Sequence, residues 1–385
     1  MNFYLLFYAH EAGMKAELGG VRKVLELARH LNQNGHHALV FAPDFLRISS
    51  EPDVPIRSYR TLKGRWLRPL SAYIMMVAAP LRTLRTLCPD AVYARTNRSI
   101  LPGLFARLIG ARFLLEVNGD AYAEQRGRQG WLRSATILTA EWLNCRLAHV
   151  VIAITTGLKQ MVEQRYGVNA EKVRLIPSGT DPEHFAPRDP MESRRRLGLS
   201  EEGFLVTFVG VLYEHQGVST AIRALAEVRS RCPSTRLLVI GGGPDRARLE
   251  AQAESLGVRS AIDFVGAVPY ERVPDYINAA DCCVAPFVAS RGETSPLKLF
   301  DYLACGRPVV ASEIPSIHGL IKESGAIVPV PPDAPSLLAE AMVGLLKDPT
   351  RRGQMGAAGR RFIEAGHGWS QIALAVANLA QAGVV

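Results

Sequence analysis

The chain has 385 residues, of which 48% are apolar and 21% charged. That composition excludes a disordered chain and leaves room for two globular domains of ordinary size. The formal net charge of +9 sits entirely in residues 1–185, where 24 Lys/Arg stand against 15 Asp/Glu; residues 186–385 carry 21 of each. A basic half of this kind attracts nucleic acid, anionic lipid or an anionic acceptor, or simply reflects Arg-rich usage.

The opening MNFYLLFYAH has no basic leader and no small-residue cleavage site, so it reads as a first strand (Phe3–Ala9) and not as a signal peptide. A loop with Gly19-Gly20 follows, then a helix from about Val21 to Asn34 whose apolar positions Val21, Val24, Leu25, Ala28 and Leu31 keep helical spacing. Further strands are expected at His37–Ala42, Ala91–Ala94, Phe113–Val117 and Val150–Ile154, with helices between them. This alternation predicts a parallel, doubly wound sheet. Between residues 57 and 87, Arg57, Arg60, Lys63, Arg65, Arg68, Arg82 and Arg85 surround Trp66 and the apolar run Leu70–Leu81. That run is too short to span a bilayer; it can lie on an anionic membrane surface or form a core helix with a solvated basic rim. No apolar run elsewhere is long enough to cross a membrane, so a cytoplasmic protein is expected, with the inner membrane face as an option.

A Pro- and Asp-rich break near residues 181–203 marks a linker. The α/β rhythm then restarts with strands at Leu205–Val209, Arg236–Ile240, Ile262–Val265, Cys282–Pro286 and Pro308–Ala311. Helices are expected at Val218–Ser230, Asp245–Ser255, Ala334–Leu346 and Trp369–Ala380. Two Rossmann-like domains follow, residues 1–183 and 184–367, with the C-terminal helix (368–385) packing back on the first. The six cysteines form no Cys-x-x-Cys pair and keep no metal-ligand spacing with histidines, so reduced thiols and no metal are expected.

The most informative stretch is Glu293-Thr-Ser-Pro-Leu-Lys-Leu-Phe-Asp301 followed by Tyr-Leu-Ala-Cys-Gly-Arg-Pro-Val-Val. Ser295 suits a helix N-cap and Pro296 the first turn, while Gly306 ends the helix. The N–H groups of Leu297, Lys298 and Leu299 then point out of the helix start, and with the helix dipole they make an anion site. Lys298 adds a mobile positive charge there, which the dipole disfavours unless an anion is bound. Glu293 and Asp301 bracket this site, matching the sugar and ribose hydroxyls on either side of a diphosphate. Two acids in isolation would read as a solvated acid and a helix cap. Arg307, after the helix, reads as solvated.

The acid pair and the segment Ala304, Gly306, Pro308, Val309, Val310 resemble the signature of family 4 glycosyltransferases of the GT-B fold. The resemblance continues through Gly19-Gly20, Arg174–Asp181 with Phe185, Phe208–Leu212 with Gly217, and Gly241–Pro244. It implies two Rossmann-like domains facing each other across a cleft. It also implies a donor nucleotide sugar held by Gly210, Gln216, Gly242, Thr294, Ser295, Pro296, Leu297, Lys298 and Asp301. The family commonly has Arg and Lys in the first loop of its second domain; here Val211 and Gln216 stand there, leaving Lys298 and the helix start to hold the diphosphate. His215 reads as an exposed loop histidine. On the acceptor side the resemblance points to Gly19 and Gly20.

Leu115–Asp120 ends a strand of the first sheet, where ligands of open α/β sheets gather. Asn118 stands where many relatives have a His that touches the donor sugar; it can position a sugar but cannot shuttle a proton at neutral pH. Asp120, Glu124 and His10 are acceptor-side candidates, or ordinary loop polar groups. No double-displacement nucleophile stands out, so the resemblance implies retention by front-face attack, with Glu293 and Asn118 as the catalytic-site residues. The acceptor is expected to be a glycan, a lipid-linked sugar or a small molecule, as in surface polysaccharide assembly; nucleic acid is not an expected partner. Two other readings remain: a non-catalytic nucleotide-sugar-binding protein, and a GT-B epimerase. A dinucleotide-dependent oxidoreductase lacks the required Gly-x-Gly-x-x-Gly after the first strand.

Overall fold

The computed structural model describes residues 1–8, 19–46, 48, 53–62, 64, 67–96, 99–120, 122, 131–293 and 296–382. They fall into two compact units, Met1–Ser178 with Gly292–Ser295 and Trp369–Val385, and Gly179–Arg291 with Pro296–Gly368.

The first unit contains β1 (Asn2–Leu6), α1 (Gly19–Gln33), β2 (His37–Pro43), β3 (Ile56–Tyr59), α2 (Leu67–Leu81), β4 (Ala91–Arg95), α3 (Leu101–Leu108), β5 (Arg112–Val117), α4 (Trp131–Leu147), β6 (Val150–Ala153), α5 (Thr156–Tyr166) and β7 (Val173–Leu175). The strands pair in parallel in the order β3-β2-β1-β4-β5-β6-β7. Successive side chains of a strand point to opposite faces, so a sheet covered on both sides needs near-continuous apolar strands. In β1, Phe3 and Leu5 enter one core with α1, while Tyr4 and Leu6 enter the other with α2 and α3. The helix α1 begins at Gly19 itself, so Gly19 and Gly20 form its first turn and not a preceding loop.

The second unit runs α6 (Pro190–Leu197), β8 (Leu205–Val209), α7 (Val218–Arg231), β9 (Arg236–Ile240), α8 (Arg246–Ser255), β10 (Ile262–Gly266), α9 (Val273–Asn278), β11 (Cys282–Ala285), α10 (Leu297–Ala304), β12 (Val309–Ser312), α11 (His318–Ser324), β13 (Ile327–Val330), α12 (Pro335–Leu346) and α13 (Pro349–Gly366). Its parallel sheet has the order β10-β9-β8-β11-β12-β13. The chain then enters α14 (Trp369–Gln381), whose Ala373, Val376, Ala377 and Ala380 share a core with Val21, Val24 and Ala28 of α1. In both sheets the winding direction reverses beside the first strand, between β1 and β4 and between β8 and β11.

Two strands, β3 and β13, and the helix α13 have no counterpart in the sequence reading, which places only a strand start at Arg174, in β7. The segment forming α13 holds Gly353, Gly356, Gly359 and Gly366, a poor helix on propensity. It forms because a Cβ at Gly356 would overlap the Gly306 carbonyl, and one at Gly359 would press on Leu303: two small residues let it pack closely on α10. Arg307 is not solvated. Its guanidinium donates to the carbonyls of Ala280 (3.3 Å) and Arg188 (2.9 Å), closing the turn after α10 against the start of β11.

Arg194 anchors α6. It is 1% exposed and donates to Asp281 (2.8 Å) and to the carbonyls of Ala279 (3.0 Å), Glu201 (3.2 Å) and Gly203 (3.1 Å). Asp281 also accepts from the Leu205 amide at the start of β8 (2.8 Å). Arg194→Ala is expected to lower stability by about 3 kcal/mol, since three carbonyls lose this donor and Asp281 loses its nearest cation. A urea titration of the variant against the wild type measures it.

Candidate functional site

At the winding reversal of the second sheet, the loops after β8 and β9 run in backbone contact. Gly210 N–H bonds the Ile240 carbonyl at 2.9 Å, and Leu212 N–H bonds the Gly242 carbonyl at 2.8 Å. Gly241, at φ +126°, has no room for a Cβ beside the Gly210 carbonyl, whereas Gly242 faces open space. Gly217 (φ +69°) is equally constrained, because a Cβ there would overlap the Pro286 carbonyl at the end of β11. These close approaches bring the carboxyl ends of β8, β9 and β11 together, which is where ligands of doubly wound sheets bind.

Helix α10 starts next to this point. Pro296 is its N-cap, with extended backbone (φ −81°, ψ 94°), and makes no side-chain cap. It therefore stands one position earlier than the expected first turn. The Leu299 amide is bonded to the Pro296 carbonyl (3.0 Å), so the helix start offers Leu297 and Lys298, not all three expected amides, to an anion. The Tyr302 hydroxyl accepts from the Val209 amide (2.7 Å), fixing α10 against the end of β8.

Lys298 is not mobile. Its Nζ donates to Gln216 Oε1 at 2.7 Å and lies 3.9 Å above the Phe208 ring. Gly210 leaves it room: a Cβ there would fall 2.6 Å from Nζ. Lys298 is half-buried overall, and desolvation of its ammonium, followed by the charge of Arg291, holds its pKa well below the ordinary lysine value. Arg291, which the sequence reading missed, stacks 4.3 Å over Phe287; Lys298 Nζ is 5.7 Å from the same ring. A cation two residues before the first acid of the motif was the available signal. His215 lies at the surface against Tyr213 and touches Gln216 (3.2 Å). Desolvation of its ring, then the charges of Arg291 and Lys298, push its pKa down. The unit thus brings Gly210, Gln216, Gly242 and Lys298 together and adds Arg291. Asp301 lies one turn further along α10 and accepts from the Thr180 hydroxyl at 2.6 Å.

In the first unit Glu116 of β5 is 2% exposed yet charged. Burial alone would raise its carboxyl. Lys23 Nζ at 2.8 Å and Arg95 Nε at 3.1 Å, with a hydrogen bond from Tyr93, overcome that and hold it below the usual carboxylate range. Arg95 also donates to the Gly20 carbonyl (3.0 Å). With the Asn118 amide turned to satisfy its neighbours, its oxygen accepts from Arg95 Nη2 (2.5 Å) and its nitrogen donates to Thr96 Oγ1 (2.8 Å). Gly20 and Asn118 are therefore joined through Arg95. Asp120 is engaged elsewhere: Arg165 Nη1 lies 2.8 Å from both its oxygens. Glu293 also belongs to this unit; its carboxylate accepts from the Thr155 hydroxyl (2.8 Å), the N-cap of α5, and lies against Gly157. His10, Glu124, Thr294, Ser295, Lys63, Arg65 and Trp66 lie outside the described residues.

Two parallel, doubly wound sheets in one chain define the GT-B class of fold. Family models match in succession, Glycosyltransferase Family 4 over residues 19–184 and Glycosyl transferases group 1 over residues 190–362. The GDP-mannose-dependent alpha-(1-6)-phosphatidylinositol monomannoside mannosyltransferase of Mycolicibacterium smegmatis is 30% identical over 271 residues, 68% of each chain. A D-inositol 3-phosphate glycosyltransferase of Acidothermus cellulolyticus is 34% identical over 209 residues, 52% of this chain and 46% of that one. The chain spans about half the length of the inositol-phosphate relatives it matches first. Sucrose-phosphate synthase from Thermosynechococcus elongatus superposes with a TM-score of 0.79 over 99% of this chain and 98% of that one, at 22% identity. Anabaena HepE, solved with UDP-glucose, gives 0.79 over 99% and 100%, at 18% identity. The chain belongs to the family 4 glycosyltransferases and has their GT-B fold.

Glu116→Gln is expected to cost about 3 kcal/mol at neutral pH, because Lys23 and Arg95 lose the charge that offsets their burial. The sign with pH follows from the lowered carboxyl. Its contribution is complete above the unfolded carboxylate pKa, about 4.3, and is lost as pH falls through the lower folded value. Urea titrations at neutral pH and at about pH 3 should show the gap between wild type and variant narrowing in acid.

Proposed function

We propose that this protein is a retaining glycosyltransferase that moves a sugar from a UDP- or GDP-sugar to a hydroxyl of a glycan, lipid-linked or small-molecule acceptor, in surface polysaccharide assembly. The observation that carries the reading is Lys298. A desolvated ammonium, held by Gln216 at the start of α10 and sharing the Phe287 ring with Arg291, suits a diphosphate anion. The relatives support it by name: one is GDP-mannose-dependent, another an alpha-D-kanosaminyltransferase of Streptomyces kanamyceticus. HepE, which shares the fold, was solved with UDP-glucose.

In this reading the donor diphosphate sits on the amides of Leu297 and Lys298. Asp301 accepts from the ribose, Glu293 accepts from sugar hydroxyls, and Asn118 positions the sugar. The bond from the anomeric carbon to the diphosphate breaks as the acceptor oxygen bonds to the same face. The acceptor proton passes to the departing phosphate oxygen. The protein stabilises the growing diphosphate charge through groups already in place. Val211 and Gln216, where relatives carry cations, favour the non-catalytic binding reading instead; Arg291 and Lys298 supply the charge those two positions lack. Release of nucleoside diphosphate from UDP- or GDP-sugars, with and without acceptors, separates the two.

Glu293→Ala is expected to lower sugar transfer at least about a hundredfold while nucleoside diphosphate affinity stays within about twofold; steady-state kinetics and calorimetry read the two quantities. Lys298→Ala should weaken the diphosphate about tenfold or more, and Arg291→Ala in the same direction.

The lowered Lys298 pKa adds a pH signature. A diphosphate favours the charged amine, so binding takes up a proton where Lys298 is partly neutral, and affinity falls as pH rises above its depressed value. Calorimetry in two alkaline buffers of different ionisation enthalpy should show proton uptake by the wild type and none by Lys298→Ala.

A further inference from the structure

Helix α2 is not a core helix with a polar outer side. Its inner side, with Ala72 and Met76, enters the core beneath the sheet. Its outer side is apolar: Leu67, Leu70, Ile74 and Leu81 are all exposed, Leu70 to 59%. At 100° per residue these four positions fall within a sector of about 60°, one continuous stripe. Helix α3 packs beside α2 on the same face of the sheet, with Phe105 and Ala106 in the same core. It turns Leu104 and Leu108 outward, Leu108 to 82%. Isolated exposed leucines need no explanation, but a stripe along one helix with further exposed leucines on the helix packed beside it does.

The charge around this face has one sign. Among the described residues of 54–112, five arginines are exposed (Arg57, Arg60, Arg82, Arg85 and Arg107) against one acid, Asp90, whose carboxylate is bonded to the Asn2 amide. Arg57 and Arg60 are exposed at β3, which packs beside α2. Arg82 and Arg85 are exposed just past the end of α2, and Arg107 stands between Leu104 and Leu108. No helix among the described residues is long and apolar enough to cross a membrane.

We infer that the outer face of α2 and α3 is a peripheral docking surface for an anionic lipid bilayer, with the leucine stripe in the acyl boundary and the arginines on the headgroups. A helix with an apolar stripe and a basic rim lies in the interface plane, held by both forces. A protein partner or a second copy would bury the same stripe, but neither requires five exposed arginines against one acid. The surface stands apart from the proposed reaction, and its test uses neither donor nor turnover.

Flotation of the full chain with phosphatidylcholine vesicles, with or without about one third phosphatidylglycerol, is the measurement. Binding is expected to the anionic vesicles, at least about fivefold above the neutral ones, and to weaken as salt rises from about 50 mM to 500 mM. Leu70→Ser with Ile74→Ser, and separately Arg82→Glu with Arg85→Glu, should each reduce binding about tenfold with unchanged thermal melting, because all four side chains are exposed. Leu374→Ser, an equally exposed leucine on α14, should leave it unchanged. The proposal is overturned if anionic vesicles bind no better than neutral ones, or if either double variant floats like the wild type. It is overturned equally if light scattering shows the wild type to be a dimer that Leu70→Ser with Ile74→Ser turns into a monomer.

Discussion

Desolvation of the Lys298 ammonium is the constraint around which the second unit's candidate site is arranged. Withdrawing an ammonium from water costs several kcal/mol; among the described residues Gln216 offers an amide oxygen and Phe208 a ring face, with Phe287 further off. The surroundings are shaped to hold it nevertheless. Gly210 gives up its Cβ to the ammonium, Tyr302 fixes α10 to the end of β8, and Arg291 adds a like charge nearby that makes the desolvation costlier. In the proposed reading, that desolvation is offset when the diphosphate binds.

The first unit meets the same topology with the opposite solution. Both sheets reverse their winding beside their first strand, yet there the buried charge is a carboxylate. Glu116 is neutralised on the spot by Lys23 of α1 and Arg95 of β4. The network is closed internally and gains orientation more than net stability. Through Arg95 it ties the first turn of α1, at Gly20, to the Asn118 amide at the end of β5. One unit holds its charge in a self-satisfied arrangement that orients neighbours, and the other holds its charge under-satisfied.

Most strands legible in the sequence are buried on both faces or carry an unbroken apolar run; the edge strand β10, with Asp263 inside it, is an exception. β8 and β9 were read to the residue, and the other recognised strands within a few residues. The strands that escaped are both edges, β3 of the first sheet and β13 of the second, and of the edge strand β7 the sequence showed only a start at Arg174. An edge strand is half-solvated, so Arg57 and Ser58 in β3, Arg174 in β7 and Pro329 in β13 are tolerated where a central strand would reject them. Helix α13 escaped because its glycines are paid for by close packing on α10, a tertiary fact that propensity does not contain. Arg307 was misread for a related reason, since a charged side chain after a helix is usually solvated and only the fold supplies three carbonyl and amide oxygens around it.

For the candidate site, the pattern does not contain the allegiance of its parts. Local chemistry treats Glu293 and Asp301 as two ends of one motif eight positions apart. In the structure Asp301 answers to Thr180 within the second unit, while Glu293 groups with the first and answers to Thr155. The Thr155 hydroxyl has a single proton, which goes to Glu293, and its lone pair takes the Leu158 amide at the start of α5. The same hydroxyl that caps a helix thus orients the acid. No spacing rule relates residue 155 to residue 293, which is why the motif announced the acid and only the fold revealed what holds it.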